Sequence, residues 1–338
     1  MTIKFAAIGI NHSHIYGQVN CLKDAGAEFV AFHAVEDDLA AQFSAKFPEA
    51  RRVSDPREIL EDKTISVVAT AAIPADRAAI SIAAMQHGKD VLSDKPGMTT
   101  FAQLEEIKRV QKETGRIYSV LYSEHFEVRA TVEAGNLIKQ GAIGQVINTV
   151  GLGPHALNNN PRPDWFFTRE SYGGILTDIA SHQFEQFLFF SDAMDAEVVS
   201  ASVANRANPH RPGLQDVGDV HLKSASTSGY IRVDWFTPKG LPTWGDGRLT
   251  ILGTEGYIEL RKYIDIAGRP GTDHLFIVNN EGPRHIDCSG TELPFGRQFL
   301  DDVRNRTETA MPQERCYNAM KLALTAQQLA EKGTEWEQ

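Results

Sequence analysis

Two short stretches of the chain carry residue types that can move a proton and hold a developing negative charge. The first is Ser93-Asp94-Lys95-Pro96. An ammonium at Lys95 can sit beside a hydroxyl oxygen and stabilise the charge that grows there as the proton leaves. Pro96 restricts the residue before it to extended geometry, which sets the direction of the lysine. The second is GGILTDIASHQFE, residues 173–185. An imidazole at His182 can accept or return a proton near neutral pH. Asp178 lies four residues earlier, on the same face of the single helix this segment predicts, and Glu185 falls on nearly that face. Asp178 can orient His182 or hold a substrate hydroxyl. Each stretch also has a plainer reading: a strand-end lysine is usually a solvated surface group, and an Asp/His pair at this spacing is often a helix salt bridge. Zinc would need a third ligand. His155 is the one candidate, nothing in the sequence fixes it nearby, and no metal site is expected.

A third stretch, IKFAAIGINHSHIYGQ at 3–18, runs from an apolar strand through a polar turn into a helix. In the G-x-G-x-x-G register of a dinucleotide-binding turn, Gly9 holds the first place, but Asn11 and His14 stand at the other two. Gly9 still suits the sharp turn, and Asn11 tolerates unusual dihedrals better than most residues. His12 and Ser13 can donate hydrogen bonds to a phosphate at a helix N-terminus. These residues with His14 are the candidate cofactor contacts, against the alternative of a simple cap and turn. After the second strand, Ala34 stands where an acid commonly binds ribose hydroxyls. Glu36 is the nearest replacement, although it and Asp37 also suit a helix start. No arginine follows that strand closely in sequence, so NAD is expected rather than NADP.

The elements that must place these groups are readable from periodicity. Strands at 3–9, 28–35, 65–72, in KDVLSDKP and in RIYSVLYSE alternate with helices at 15–25, 37–47, 77–88 and from Thr100 onward. That alternation predicts βαβ units on a parallel Rossmann sheet. Ligands bind such sheets outside the carboxyl ends of the strands. The ends here are Gly9, Val35, Thr70 to Ala72 and Ser93 to Pro96, with Pro74 opening the next helix. Thr70, Ala71 and Pro74 therefore join the cofactor candidates. The first domain is expected to span 1–123. From 124 the pattern changes to a helix over 127–140, a strand in GQVINTVGLG, the helix after Gly174, five further strand-like segments and a last helix over 312–331. This predicts an α+β domain, 124–338, with a large, mostly antiparallel open sheet. His125, with Glu124 and Arg129, is expected to line the substrate side, as are His155 with Asn158 to Asn160, and Trp165. Trp165 and Trp244 have equally good readings as core or subunit cover.

Composition narrows the function classes. Hydrophobic residues make up 42% and charged residues 23% of 338, an ordinary globular balance with material for two domains. The net charge of −10, with no dense Lys/Arg cluster, argues against nucleic-acid binding. Cys21, Cys288 and Cys316 are too few and scattered for a disulfide framework, so a reducing cytoplasm is the expected compartment. The N-terminal apolar run is broken at Asn11 and His12, which argues against a secretory signal, and no stretch reaches the length of a membrane span.

Taken together, these segments resemble the glucose-fructose oxidoreductase / inositol dehydrogenase (Gfo/Idh/MocA) family of nicotinamide-dependent oxidoreductases. SDKP resembles that family's Glu-Lys-Pro motif with Asp94 in place of Glu, and GGILTDIASH resembles its Gly-Gly-x-x-x-Asp-x-x-x-His signature. VVATAAIPADRAAISIAAMQHGKDV, IKQGAIGQV at 138–146 and ILGTEGYIEL at 251–260 extend the resemblance over nearly the whole chain. It implies hydride transfer at a secondary hydroxyl of a sugar, inositol or related polyol, using NAD or NADP. Lys95 would lie near the nicotinamide and the reacting hydroxyl, His182 would exchange the proton, and Asp178 would bind substrate or tune His182. That role requires the Lys95 ammonium and the His182 ring to share one cavity. The resemblance also implies a homodimer or homotetramer. Two alternatives stand beside it: a lyase, epimerase or hydrolase with bound, recycled NAD, and a non-catalytic sugar-binding or assembly protein. The altered glycine turn and Ala34 are the departures that keep the last one open.

Overall fold

The computed structural model describes residues 2–157 and 162–334, so Asn158 to Asn160 lie outside the described residues. In chain order the first elements are β1 (Lys4–Ile8), α1 (His14–Asp24), β2 (Glu28–His33), α2 (Asp37–Lys46), β3 (Arg51–Val53), α3 (Arg57–Leu60), β4 (Ile65–Thr70), α4 (Arg77–Gln86), β5 (Asp90–Asp94), α5 (Phe101–Thr114) and β6 (Tyr118–Leu121). The six strands form one parallel sheet in the order β3-β2-β1-β4-β5-β6. This is the expected Rossmann arrangement, with the reversal of strand order between β1 and β4. The strands are continuous apolar runs because helices cover both faces: Phe5, Ala6 and Ala7 in β1 and Val67, Val68 and Ala69 in β4 are all fully buried. Local chemistry sets the helix ends. Thr100 caps α5 by accepting the Gln103 N–H at 3.2 Å, and Gly115 ends that helix at φ 63°.

The later elements are α6 (Ser123–Phe126), α7 (Arg129–Lys139), β7 (Val146–Pro154), α8 (Arg169–Tyr172), α9 (Ile175–Asp178), α10 (Ser181–Phe190), β8 (Glu197–Ala204), β9 (Val217–Lys223), β10 (Ser228–Asp234), β11 (Arg248–Gly253), β12 (Gly256–Arg261), β13 (His274–Asn279), β14 (Gly282–Asp287), α11 (Phe295–Asn305) and α12 (Gln313–Thr334). Eight strands form a second sheet, ordered β14-β13-β12-β11-β7-β10-β9-β8. Its pairs are antiparallel except β7 with β10, which run parallel from Asn148↔Ser228 to Pro154↔Asp234. Helices α7, α9 and α10 pack on this sheet. Val128, Ala134 and Phe190 meet Ile251, Ile258 and Ile277 in the core. Val150, Leu152, Tyr230, Leu252 and Tyr257 are left at least partly exposed.

The chain forms two compact units. One comprises Met1–Leu121, Glu170–Gly173 and Pro294–Tyr317; the other comprises Tyr122–Arg169, Gly174–Leu293 and Asn318–Gln338. Helix α11 thus returns to the first unit, where Gly296 packs against Cys21 of α1. Among the described residues no helix is long and apolar enough to cross a membrane.

One expected element differs. The helix read across 175–190 is two helices, with Ile179 and Ala180 in a turn between them. The hydrogen-bond ladder slips there: the Ala180 N–H reaches Ile175 O at 3.3 Å, five residues back, and the His182 N–H reaches Ile179 O at 3.2 Å, three back. Asp178 therefore ends α9 and His182 sits in the first turn of α10, so the one-helix face argument for this pair does not hold.

Gly9 adopts φ +77°, and a Cβ there would lie 2.5 Å from the Cβ of Ala72. Both the left-handed backbone and the contact oppose any side chain. Gly9→Ala is expected to cost about 2–3 kcal/mol in urea unfolding. An unchanged midpoint and slope would show that the turn relaxes freely.

Candidate active site

In the first unit backbone hydrogen bonds stitch the glycine turn to the neighbouring strand ends. Gly9 N–H donates to His33 O at 3.2 Å, Ala71 N–H to Gly9 O at 3.0 Å, and His12 N–H to Ala71 O at 2.8 Å. Thr70 and Ala71 are fully buried, and Pro74 is buried at the start of a one-turn helix, Pro74–Asp76. Ser13 precedes α1 as its N-cap, with no side-chain capping bond. Asn11, at the second glycine place, donates from Nδ2 to Glu36 Oε1 at 2.8 Å, so the turn and the acid after β2 hold each other. Between Ala34 and Glu36, Val35 is 79% exposed. Arg52, on β3, donates to Ala34 O at 3.1 Å and lies 2.7 Å from Asp37 Oδ1. Sequence distance had hidden this cation; sheet pairing brings it to the end of β2.

The SDKP segment is fixed by a charge pair that the sequence reading missed. Arg77 is fully buried and its Nη2 lies 2.8 Å from Asp94 Oδ2. The same guanidinium donates to Ala72 O at 2.8 Å, to Pro96 O at 3.0 Å and to Lys95 O. Asp94 Oδ1 accepts the Lys95 N–H at 2.8 Å and lies 2.9 Å from His14 Nδ1. Burial alone would raise the Asp94 pKa, but Arg77 together with His14 and His12 holds it far below the usual carboxylate range. Lys95 is thereby held by its backbone at the carboxyl end of β5, with 5% of its surface exposed. The signal available in the sequence was an arginine opening an otherwise apolar helix, RAAISIAAM.

His12, His14 and Asp94 offer three potential metal-ligating atoms within 4.8 Å of one another. Electrostatics oppose a cation there: Arg77 already matches Asp94, and Lys95 and the N-terminus of α1 add positive potential. Burial and the neighbouring His14, with Lys95 and Arg77, push the His12 pKa well down.

In the second unit Asp178 and His182 are both buried, at 9% and 2% exposure. The His182 ring stands edge-on to Tyr122, centroids 6.1 Å apart. Asp178 contributes favourably to the charge of Arg162, whose pKa burial pushes down. That guanidinium lies 4.6 Å from the Phe166 ring and 5.2 Å from Trp235. A second unforeseen pair lies alongside. Glu124 and Lys262 are almost fully buried, with Nζ 2.8 Å from Oε2, and Gln183 donates to the same oxygen at 3.0 Å. Lys262 also donates to Gln186 Oε1 at 2.9 Å. Despite burial, Lys262, His182 and His155 hold the Glu124 pKa down at about 2.

The remaining candidates divide. His155 Nδ1 meets Gly153 O at 3.0 Å, and its ring lies 4.6 Å from Trp244 and 5.3 Å from Trp235. Trp165 is half-buried in the one-turn helix Asp164–Phe167, against Phe166. His125 takes another part. It is 4% exposed, its Nδ1 is 2.8 Å from the fully buried Glu185 Oε2, and its ring lies against Phe126 and Phe189. It braces α6 against α10, and Glu185 is its partner rather than a third member of an Asp178/His182 face.

The Glu124 pKa makes an acid-stability statement. A lowered folded-state value contributes stability that is full above the unfolded value of about 4.3 and is lost as pH falls through about 2. Glu124→Gln is expected to flatten the acid limb of stability over that window, while Lys262→Met, which leaves a buried carboxylate unpaired, is expected to cost ~3–5 kcal/mol near pH 7. Chemical unfolding against pH measures both, and an unchanged acid limb in Glu124→Gln would remove this carboxylate from the account.

Comparisons with known proteins follow the same division of the chain. Residues 3–122 match the family profile described as "Oxidoreductase family, NAD-binding Rossmann fold", and residues 131–259 match the "GFO/IDH/MocA C-terminal domain". A crystal structure from Erwinia carotovora atroseptica SCRI1043, provisionally classed as an oxidoreductase, is 43% identical, covers 97% of this chain and 99% of its own, and superposes with a TM-score of 0.95. The scyllo-inositol 2-dehydrogenase (NAD(+)) of Bacillus subtilis (strain 168) is 25% identical over 90% of this chain and 86% of its own. A levoglucosan dehydrogenase in complex with NADH and levoglucosan shares the fold, with a TM-score of 0.82 at 18% identity over 98% of both chains. Both family profiles, in the order and places the two sheets occupy, show that this chain is an oxidoreductase of the GFO/IDH/MocA family.

Proposed function

We propose that the protein is an NAD(H)-dependent dehydrogenase acting at a secondary hydroxyl of a sugar, inositol or related polyol. The observation that carries the reading is the Arg77–Asp94 clamp, which fixes Lys95 at the carboxyl edge of the Rossmann sheet. The dinucleotide fits the chemistry of that edge. Gly9 makes a turn that no side chain could share, Glu36 offers a carboxylate beside β2, and the exposed Val35 supplies an apolar surface for a base. Glu36 disfavours a 2′-phosphate, and Arg52, the cation that sheet pairing brings to the end of β2, is paired with Asp37. The named activities of the scyllo-inositol and levoglucosan enzymes support the substrate class.

When bound, the dinucleotide would supply the hydride acceptor. The chain supplies the rest. In oxidation Lys95 holds the substrate oxygen as its charge develops, and His182 accepts the hydroxyl proton. Glu124, an anion whose charge interacts with His182, favours the imidazolium that results. Asp178 holds a neighbouring substrate hydroxyl. His155 and Trp165 supply further polar and flat surface.

Calorimetry with NAD and with NADP should show NAD binding the more tightly, and polyol addition should reduce it at 340 nm. Lys95→Ala and His182→Ala are each expected to lower kcat by roughly 10²–10⁴-fold with the fold retained. Because both act on one hydroxyl, the double variant should lose far less than the product of the single losses. Fully multiplicative losses would separate the two residues mechanistically. Product formation with bound NAD but no net absorbance change would assign the chain to redox-assisted elimination or epimerisation instead.

We also propose a homodimer or homotetramer built on the second sheet. Tyr257 pairs with Leu252 and Val150 with Tyr230 on the partly exposed face, which gives two apolar pairs, while across β11 and β7 Leu252 faces Asn148 and Val150 faces Thr250. Light scattering should give a multiple of the 37.3 kDa chain mass that Leu252→Asp with Tyr257→Asp reduces to a monomer. A monomeric wild type would remove this role for the face.

A further inference from the structure

The Rossmann sheet has a second polar end. Opposite the carboxyl edge, where β4 and β5 begin, lies a cavity of about 220 Å³ whose lining includes Lys63, Ser66, Lys89, Asp90, Arg116 and Arg306. All six belong to the first unit. Asp90 opens β5 and Asp94 closes it, so roughly 13 Å of extended strand lies between this cavity and the edge that holds Lys95. Four cations thus line one cavity with a single carboxylate, in a chain whose net charge is −10. They stand far apart in sequence, and only the fold collects them.

That carboxylate is already matched. Asp90 is 1% exposed, Arg306 holds both its oxygens at 2.6 and 2.9 Å, and Oδ1 also accepts the Ile117 N–H at 2.8 Å. Lys63, Lys89 and Arg116 remain. Cations beside helix C-termini often serve only to cap carbonyls. Lys89 donates to Ile65 O at 2.9 Å and to Asp62 O, and Arg116 donates from Nη1 to Gly88 O at 3.3 Å and from Nε to Thr114 O at 3.4 Å. These bonds use two of the three ammonium hydrogens and two of the five guanidinium hydrogens, and they neutralise no full charge. Lys63 is exposed and, among the described residues, forms no ion pair. The Asp62 carboxylate accepts the Thr64 N–H and divides its field between Lys89 and Lys4. Burial pulls the Lys89 pKa down and Asp62 restores only part of it, so this cation is desolvated without a full counter-charge.

The surplus of positive charge opposes a metal ion. A single carboxylate would bring one charge and two oxygens, leaving most of the donors unmet. A phosphate group carries about −1.5 to −2 at pH 7 and offers at least three strong acceptor oxygens, which the open hydrogens of Lys63, Lys89 and Arg116 and the Ser66 hydroxyl can meet. We propose that this cavity binds a phosphate group, free or as the monoester of a small metabolite, at the end of the Rossmann sheet away from Lys95. The site stands whether or not the chain is a dehydrogenase, because none of its residues takes part in that reading.

Calorimetry of the full chain, in salt of about 0.15 M to screen loose surface attraction, tests it. Inorganic phosphate should bind at one per chain. Methyl phosphate binding at least as tightly identifies a monoester site, and its exclusion identifies a site for the free ion. Lys63→Gln removes an exposed charge that forms no ion pair, so its melting temperature in phosphate-free buffer should equal that of the wild type. It should weaken phosphate roughly ten- to thirtyfold, and Arg116→Gln should do the same. If Arg116→Gln fails to fold, Lys63→Gln alone decides. Lys95→Ala should leave phosphate affinity unchanged, and so should saturating NAD. No heat at millimolar phosphate, or an affinity that Lys63→Gln leaves unchanged, would overturn the proposal. Loss of phosphate binding in Lys95→Ala, or competition from NAD, would place the anion at the carboxyl edge instead. Citrate bound as tightly as phosphate, with the same dependence on Lys63, would replace the phosphate site by one for polycarboxylates.

Discussion

The buried ion pair of Arg77 and Asp94 is the constraint on which the ligand-facing edge of the first unit depends. Removing two charges from water is costly and is repaid only when the geometry satisfies nearly every donor and acceptor. Here it does so by engaging backbone from separate places. Arg77 ties Ala72, just past β4, to the carbonyls of Lys95 and Pro96 just past β5. Asp94 adds the Lys95 N–H and reaches across to His14 at the start of α1. Three crossovers of the sheet are thus cross-braced at the edge where the topology makes a crevice. The backbone of Lys95 gains its direction from these bonds.

The second unit solves the same physical problem with different residues. Glu124 from α6, Lys262 just past β12, and Gln183 and Gln186 from α10 form a buried polar network whose central charge is matched. His125 and Glu185, each the immediate neighbour in sequence of a network residue, form a second brace between α6 and α10. Such networks orient α10 more narrowly than apolar packing alone would, because an unpaired member would be far more costly than a displaced methyl group. His182, flanked in sequence by Ser181 and Gln183, inherits that orientation.

How much of this was legible follows from what sequence periodicity encodes. Strand and helix alternation through residue 121 depends on local apolar spacing, and it led correctly to a parallel Rossmann sheet. Lys95, Asp178 and His182 stood out because their types and neighbours are unusual. What stayed hidden was pairing at a distance. Arg77 and Asp94 are separated by a helix and a strand, Glu124 and Lys262 by most of a sheet, and Arg52 reaches Ala34 only through the β2–β3 ladder. The break between α9 and α10 was also invisible. Ile179 and Ala180 suit a helix, and the ladder yields to tertiary anchors at its N-terminal side, where Gln215 and Gln327 take the N–H groups of Ile175 and Leu176 at 3.0 Å. His125 misled for the opposite reason: a histidine just past a strand end has the composition of a ligand contact, yet its carboxylate partner lies 60 positions on.

The single parallel pairing in the second sheet, β7 with β10, carries a topological consequence. Parallel neighbours cannot be joined by a hairpin; the chain must leave the sheet edge and travel back before it can pair again. In this protein the return path contains α9 and α10, so Asp178 and His182 are carried on the connection that the pairing obliges. Closing that long loop is the slow, entropically expensive event in building such a sheet. The helices α9 and α10 on that connection pack back on the strands it joins, α10 on β7 and α9 on β10, so the Asp178/His182 region and this parallel pair share one set of contacts.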